Sequence, residues 1–516
     1  MTSPLDLVDK SLYTVSQDGI PQIHNFIDGK FSNSQTSEWI DLTNPATGKV
    51  IARVPQSTQS EINQAVASAK SAFQEWRYTA ISTRARIFLK YQSLIRDNME
   101  DLAKVLTWEQ GKTLPDAQGD VFRGLEVVEH AANIGTLQMG EFANNVATRI
   151  DTYTINQPLG VCAGITPFNF PAMIPLWMFP MAIACGNGFV LKPSEQDPIV
   201  AMMLVKLAQE AGIPDGLLNV IHGGADSVNA ICDHADIRAV SFVGSTAVGT
   251  HVYNRASQNG KRAQCMMGAK NHSIVLPDAH RNKTVNALLG SAFGAAGQRC
   301  MALPVTVLVG EAKEIIADIV EGAKKLNVNA GHVEGADLGP LISQKALSRA
   351  LDLIEEGVKD GATLELDGRD VMVKGYEDGY FLGPTVFSGV KTDMSIYTQE
   401  IFGPVLCIIC VDDIDDAIAL INKNPNGNGT AIFTSSGAKA RQFQEEIDVG
   451  QVGINVPIPV PVPLFSFSGS RASKLGDLGP YGKQVINFYT QTKTVTSRWF
   501  EEDDEAGAIN TTISMK

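Results

Sequence analysis

From Thr152 to Leu191 the chain carries no charged side chain. A run this apolar belongs either in a bilayer or inside a large folded body. Prolines 158, 167, 171, 175 and 180, with Gly160, Gly164, Gly186 and Gly188, break it into short buried pieces rather than one span. The run therefore needs a protein interior. At 516 residues the chain exceeds the size at which one core keeps growing, so two domains with small appendages are expected.

The flanking pattern says what kind of interior. Residues 25 to 53 alternate short apolar runs with turn residues and read as an opening β-meander. From Glu61 to Gly140 the apolar spacing is helical. Between 158 and 266 the pattern becomes LGVCAGIT, a helix across 172 to 185, FVLKPS, a helix around 199 to 211, LLNVIHG, then RAVSFVGS and another helix. That alternation predicts a doubly wound α/β sheet. A second α/β block follows Gly268, with SIVLPD, PVTVLVG, VLCIICV and TAIFTSS as strands. Near the end, VPIPVPVPLFSFSGSR is too rich in proline for a helix, and YGKQVINFYTQTKTVTSRW reads as an extended strand, a candidate intersubunit arm. EEDDEAGAIN reads as disordered.

A net charge of −14 argues against nucleic acid or an anionic membrane as a partner. Small molecules and copies of the chain are the expected partners. The seven cysteines form no paired CxxC set, which fits reduced thiols in a cytosol-like compartment. The N-terminal MTSPLDLVDKSLYT has neither a signal-peptide core nor an Arg-rich transit pattern, so the cytoplasm is expected, or the mitochondrial matrix if a presequence was removed. The eight histidines show no ligand spacing, and no metal site is expected.

Five short stretches carry chemistry. FVGSTAVG puts Gly244 and Ser245 where a strand meets a helix, a place for a pyrophosphate, although as an isolated motif it reads equally well as an ordinary β-to-α turn. FVLKPSEQDP offers Lys192 and Glu195 to an adenosine ribose, and the carboxylate would repel a 2′-phosphate and so favour NAD over NADP; alone, the two residues read as a solvated pair. Asn169 in ITPFNFP can donate to an oxyanion or cap the helix that follows. Cys300 in FGAAGQRCMA follows a loop of small residues and the cation Arg299, conditions that can lower a thiol pKa, whereas a lone cysteine is more often inert. QEIFGPV contributes Glu400 and Phe402, in isolation a surface loop.

Together NPATGK, ITPFNFP, KPSE, FVGST, GQRC and QEIFGPV, in this order, resemble the aldehyde dehydrogenase superfamily over roughly residues 20 to 500. The resemblance implies an α/β fold of two doubly wound domains with a β-strand oligomerisation arm. It assigns 20–140 and 158–266 to NAD binding, 267–465 to catalysis, 141–157 and 480–500 to the arm, and 1–19 and 501–516 to flexible termini. It makes Cys300 the nucleophile, with Asn169 and the Cys300 amide as oxyanion hole. Thr166, Phe168, Lys192, Glu195, Gly244, Ser245, Glu400 and Phe402 become NAD contacts, and the assembly a homodimer or homotetramer.

Hydrolytic members of the superfamily carry a glutamate base in E-L-G-G-K; here the stretch is Met266-Met267-Gly268-Ala269-Lys270. A thioether takes no proton from water at neutral pH, and losing a general base costs about 10²–10⁴-fold. Coenzyme A needs less help, because a thiolate is already a strong nucleophile. MGAKNH, GQRCMA, VPIPVP, FSFSGSR and YGKQVINFYTQTKT are similar to the methylmalonate-semialdehyde dehydrogenases, a coenzyme A-acylating, decarboxylating branch that usually has asparagine where Met266 stands. The resemblance implies oxidation of methylmalonate or malonate semialdehyde to propionyl-CoA or acetyl-CoA. Such substrates carry a carboxylate, and Arg123 and Arg299 match the branch's arginines; the plainer readings are an Arg123 ion pair with Asp120 or Glu126 and a structural loop contact for Arg299. Two rivals stand beside this reading: a hydrolytic semialdehyde dehydrogenase, for instance for succinate semialdehyde, and an inert protein that keeps only the fold.

Overall fold

The computed structural model of the chain describes residues 4–500 and 511. The uncharged run folds as strand Val161–Ile165, helix Met173–Ala184 and strand Gly188–Lys192, with every residue of the three elements buried. A helix apolar on all sides can only lie inside a layered domain. No helix among the described residues is long and apolar enough to cross a membrane.

These strands sit at the centre of an eight-stranded sheet. Its order is Lys474–Leu475, Arg262–Met266, Ile237–Val243, Val161–Ile165, Gly188–Lys192, Leu218–Val220, Asn25–Ile27 and Lys30–Ser32. The five inner strands run parallel. From Val161–Ile165 the chain winds first toward 188–192 and 218–220, then returns to add 237–243 and 262–266 on the other side. The carboxyl ends of 161–165 and 237–243 thus flank a topological switch point, where open α/β sheets bind ligands. A seven-stranded sheet follows, ordered Thr363–Leu366, Thr385–Ser388, Val405–Val411, Val305–Val309, His272–Val275, Gly429–Phe433 and Gln451–Ile454. Cys300 lies just ahead of its strand 305–309, so it belongs to that sheet's amino edge.

Three expectations need correction. The opening meander is two hairpins in different sheets: Asn25–Ile27 with Lys30–Ser32 extends the eight-stranded sheet, whereas Trp39–Thr43 with Val50–Pro55 joins Tyr13–Val15 and Pro21–Ile23. Asn25, Phe26 and Ile27 are all buried, because the strand extends the sheet beyond Val220 and packs Phe26 into one core cluster and Ile27 into another. Residues 4–19 are not a loose terminus: Val8 and Leu12 are buried and Tyr13–Val15 pairs with Pro21–Ile23. The acidic residues around them hid those anchors. Finally, the segment from Tyr481 is not one strand. Lys483–Tyr489 is a helix whose Val485, Ile486, Phe488 and Tyr489 face the first core, and only Thr490–Arg498 is extended, paired with Ile150–Pro158. The expected disorder at 501–516 lies outside the described residues, apart from 511.

Helix Ile199–Ala211 starts without a side-chain cap of its own. Glu109, at the end of helix Met99–Gln110, accepts the Ile199 and Val200 amides at 2.8 and 2.7 Å. Burial pushes the Glu109 carboxyl up from 4.5 to about 8, and burial beside Glu109 pushes Asp197 up as well. The folded chain therefore keeps protons that the unfolded chain releases near pH 4.5, so stability falls as pH rises toward about 8. Asp197→Asn cannot ionise and is expected to flatten that fall, read from thermal midpoints between about pH 5 and 9. Parallel curves for variant and parent would sink the idea.

Candidate active site

A cavity of about 410 Å³ separates the two large sheets. Gly244 and Ser245 line it from the carboxyl edge of the first; Cys300, Glu400 and Phe402 line it from the second. Phe168 and Asn169 close its side. Residues from FVGST, ITPFNFP, GQRC and QEIFGPV, far apart in sequence, therefore meet in one space.

Cys300 is half-buried, on a loop whose Ala295, Ala296 and Gly297 all have positive φ (51°, 53° and 72°). Gly297 packs so closely that a Cβ there would lie 2.2 Å from the Gly403 carbonyl, which locks the cysteine loop to the Glu400–Phe402 turn. The Cys300 carbonyl accepts from Asn271 Nδ2 at 2.8 Å and Asn428 Nδ2 at 3.0 Å. Burial, then the charge of Glu400, push the thiol up to about 12, against the pull of the Cys300 and Met301 amides. This corrects the expectation that Arg299 lowers it. The Arg299 guanidinium pairs with Asp116 and packs over Gly294, leaving the thiol under the influence of Glu400.

Asn169 is not the helix cap: helix Met173–Ala184 is preceded by Ala172, and no side chain caps it. Instead the Asn169 amide is buried and donates to the Gln298 carbonyl at 3.0 Å, beside the cysteine loop. A donor held there can serve an oxyanion on a carbon attached to Cys300.

On the first sheet's side, helix Thr246–Gln258 starts at Ser245 with no side-chain cap, so its leading amides are open to an anion. A Cβ on Gly244 would lie 2.5 Å from the Phe242 ring, so packing also requires glycine there. The Thr166 hydroxyl is buried and lacks any hydrogen-bond partner, an orphan that a dinucleotide at this edge would satisfy. Lys192 Nζ, itself buried, reaches Glu195 at 2.9 Å and the Gly223 carbonyl at 2.7 Å. Burial works against ionisation of Glu195, but Lys192 outweighs it and holds the carboxyl below its usual value. Thr166, Lys192 and Glu195 lie off the main cavity, which reaches toward them through Gln196. Glu400 accepts the Ala269 amide at 3.0 Å, and burial raises its carboxyl. Lys270 ties down the turn before it by donating to the Ile396 and Gln399 carbonyls at 2.6 and 2.8 Å. Phe402, at φ 58°, meets Phe168 edge-on, ring centres 5.8 Å apart.

Neither expected substrate arginine is free. Arg123 donates to Glu126 at 2.8 Å on an exposed helix face, the plainer of its two readings, and Arg299 is held by Asp116. The cations that do line the cavity are Lys345 and Arg349, four residues apart on helix Gln344–Lys359, and neither forms an ion pair among the described residues. Sequence reading missed them, although K-A-L-S-R after Gly-Pro places both charges on one helical face. Met266 is buried at the end of its strand, where its carbonyl accepts the Gly244 amide at 3.1 Å. No carboxylate stands at that position. Among the described residues no group of His, Cys, Asp or Glu is placed to hold a metal ion.

A cysteine and an amide donor lining one cavity at a dinucleotide-type switch point fit the oxidation of a carbonyl through a thiol adduct. The aldehyde dehydrogenase family model matches residues 31–495, and the chain belongs to that family. It is 57% identical over 484 residues to the acylating methylmalonate-semialdehyde/malonate-semialdehyde dehydrogenase of Homo sapiens mitochondria, covering 94% of this chain and 90% of that protein. The Arabidopsis thaliana acylating methylmalonate-semialdehyde dehydrogenase is 60% identical over 93% of this chain and 79% of its own length. Among solved structures, a Sinorhizobium meliloti protein assigned to the same activity and solved with NAD superposes with a TM-score of 0.93, at 47% identity over 95% of this chain and all of that one.

Proposed function

We propose that this protein is an NAD-dependent, coenzyme A-acylating dehydrogenase of methylmalonate and malonate semialdehyde. The observation that carries the reading is that Cys300 and Asn169 line one cavity, while the strand leading to it ends on a buried Met266 where hydrolytic members have a glutamate base. The relatives that share this chain's length are named as acylating enzymes of that substrate pair.

The Cys300 thiol loses its proton to solvent as its sulfur adds to the aldehyde carbon, because burial and Glu400 disfavour the free thiolate. Asn169 Nδ2 and the Cys300 amide take the developing oxyanion. Thr166, Phe168, Lys192, Glu195, Gly244, Ser245, Glu400 and Phe402 would hold NAD, which when bound would supply the hydride acceptor. The remaining thioester carries a carboxylate on its α carbon. That carbon–carbon bond breaks to release CO₂, its electron pair moves into the thioester carbonyl held by the same donors, and the α carbon takes a proton. The coenzyme A thiolate then attacks the carbonyl carbon and Cys300 leaves. For the substrate carboxylate we assign Arg123, released from Glu126: an exposed pair is worth about 0–1 kcal/mol, so exchanging one carboxylate for another costs little. Arg299 stays with Asp116 and shapes the loop.

We assign the eight-stranded unit to NAD binding and the seven-stranded unit to catalysis. The sheet of Phe142–Ala147, Ile150–Pro158 and Thr490–Arg498 is the oligomerisation arm, with one long free edge and Phe142, Val146 and Ile155 exposed. A homodimer or homotetramer is expected, and sedimentation as a monomer would contradict it. The compartment is a reducing one, cytoplasm or mitochondrial matrix, in keeping with seven free cysteines and with relatives named mitochondrial.

Mass spectrometry of the intact protein and of its proteolytic peptides tests the reading. After malonate semialdehyde and NAD without coenzyme A, one acyl group is expected on a peptide containing Cys300, and added coenzyme A removes it as acetyl-CoA. NADH formed with no adduct at any time would contradict it.

A further inference from the structure

Outside the residues already assigned, Lys112 and Asp120 form a buried ion pair next to the cavity-lining Asn169. Their side chains are 1% and 0% exposed, and Nζ lies 2.9 Å from Asp120 Oδ2. The same Nζ donates to the Asn169 carbonyl at 2.5 Å and stands 4.2 Å from the centre of the Phe170 ring. The other Asp120 oxygen, Oδ1, accepts the Met173 amide at 2.7 Å. One ion pair thus grips both ends of the segment 169–173, and Asn169 is its first residue.

Lys112 is itself fixed by the second unit. It lies on the turn between helices Met99–Gln110 and Leu114–Ala132, where Gly111 has φ 94°. The Leu114 amide donates to the Gly331 carbonyl at 2.9 Å. Cβ atoms on Gly331 and Gly339 would lie 2.2 Å from the Lys112 carbonyl oxygen and 2.1 Å from that of Gly111, so only glycine lets the two units meet so closely. Gly339 is three residues from Ile342, which lines the cavity. A buried ion pair is a poor source of stability compared with apolar packing, and its best use is to specify one arrangement.

We infer that Lys112 and Asp120 are positioning residues for the oxidation, holding Asn169 at the oxyanion and tying it to the junction between the two units. The inference rests on the oxyanion role proposed for Asn169. Losing an oxyanion donor outright costs about 10²–10³-fold. Letting that donor drift by about an ångström costs up to about 10²-fold.

The test is the rate constant of the NADH burst in Lys112→Met, Asn169→Ala and the double variant, with NAD affinity and thermal midpoint measured beside it. Lys112→Met is expected to slow the burst by about 10- to 100-fold with NAD affinity unchanged, and to add little in the Asn169→Ala background, because a residue acting through Asn169 has nothing left to position. Should Lys112→Met not fold, Asp120→Asn takes its place: the amide oxygen keeps the Met173 contact but loses the charge that seats Lys112, and a smaller slowing, again lost in the Asn169→Ala background, is expected. A parent-like burst in the positioning variants, or a slowing that persists undiminished beside Asn169→Ala, overturns the inference while leaving Asn169's role intact. A parent-like burst in Asn169→Ala itself overturns that role and the inference with it.

Discussion

Cys300→Ala is expected to lower NADH formation from malonate semialdehyde by on the order of 10⁴-fold or more, burst included, since removing a catalytic nucleophile takes away the whole covalent route. NAD affinity should survive, because Lys192, Glu195 and the open amides after Ser245 are untouched by the change. The six other cysteines supply the control. Five are buried, and Cys410, the exposed one, lies near the carboxyl end of strand Val405–Val411, so Cys410→Ser should behave as the parent. Stopped-flow absorbance for NADH and fluorescence for NAD binding separate the two effects. Turnover in Cys300→Ala above about one hundredth of the parent rate would mean that no thioester lies on the path.

The second large effect is a gain. Met266→Glu places a carboxyl at the end of strand Arg262–Met266, where hydrolytic members of the family have theirs. Burial at that position raises a carboxyl toward neutrality, the range in which a general base works best. Turnover without coenzyme A is therefore expected to rise by roughly 10²-fold or more over the parent's residual rate. Burying the acid in a packed strand costs stability, about 1–3 kcal/mol, so a lower thermal midpoint should accompany the gain. A variant that folds and shows a normal burst, yet gains no hydrolysis, would remove Met266 as the reason for the coenzyme A requirement.

What could be read from the sequence was whatever chemistry confines to a few consecutive residues. Gly244, Glu195 and Cys300 sit in short motifs because a turn, a ribose and a thiol loop each need a local arrangement, and the structure brings the first and last into one cavity. Contacts between distant elements could not be read in this way. Arg299 is next to Cys300 in the chain, but adjacent side chains on a loop need not face one another, and this one turns to Asp116. Lys112 and Asp120 look like ordinary surface charges until the 169–173 segment and Gly331 close over them. In KQVINFYT the β-branched and aromatic residues favour a strand by propensity, and packing of Val485, Ile486, Phe488 and Tyr489 against the first core makes a helix instead. The doubly wound order survived because its signal, alternation over more than a hundred residues, does not depend on any single element.

What removes the acyl group decides between coenzyme A and water, and NADH formation from malonate semialdehyde with and without coenzyme A measures that directly. Without coenzyme A, a burst of about one NADH per active site followed by near arrest is expected, and with coenzyme A steady turnover matched by acetyl-CoA and CO₂. Steady turnover without coenzyme A, yielding the free acid, would show that water is activated despite Met266 and would contradict an acylating enzyme.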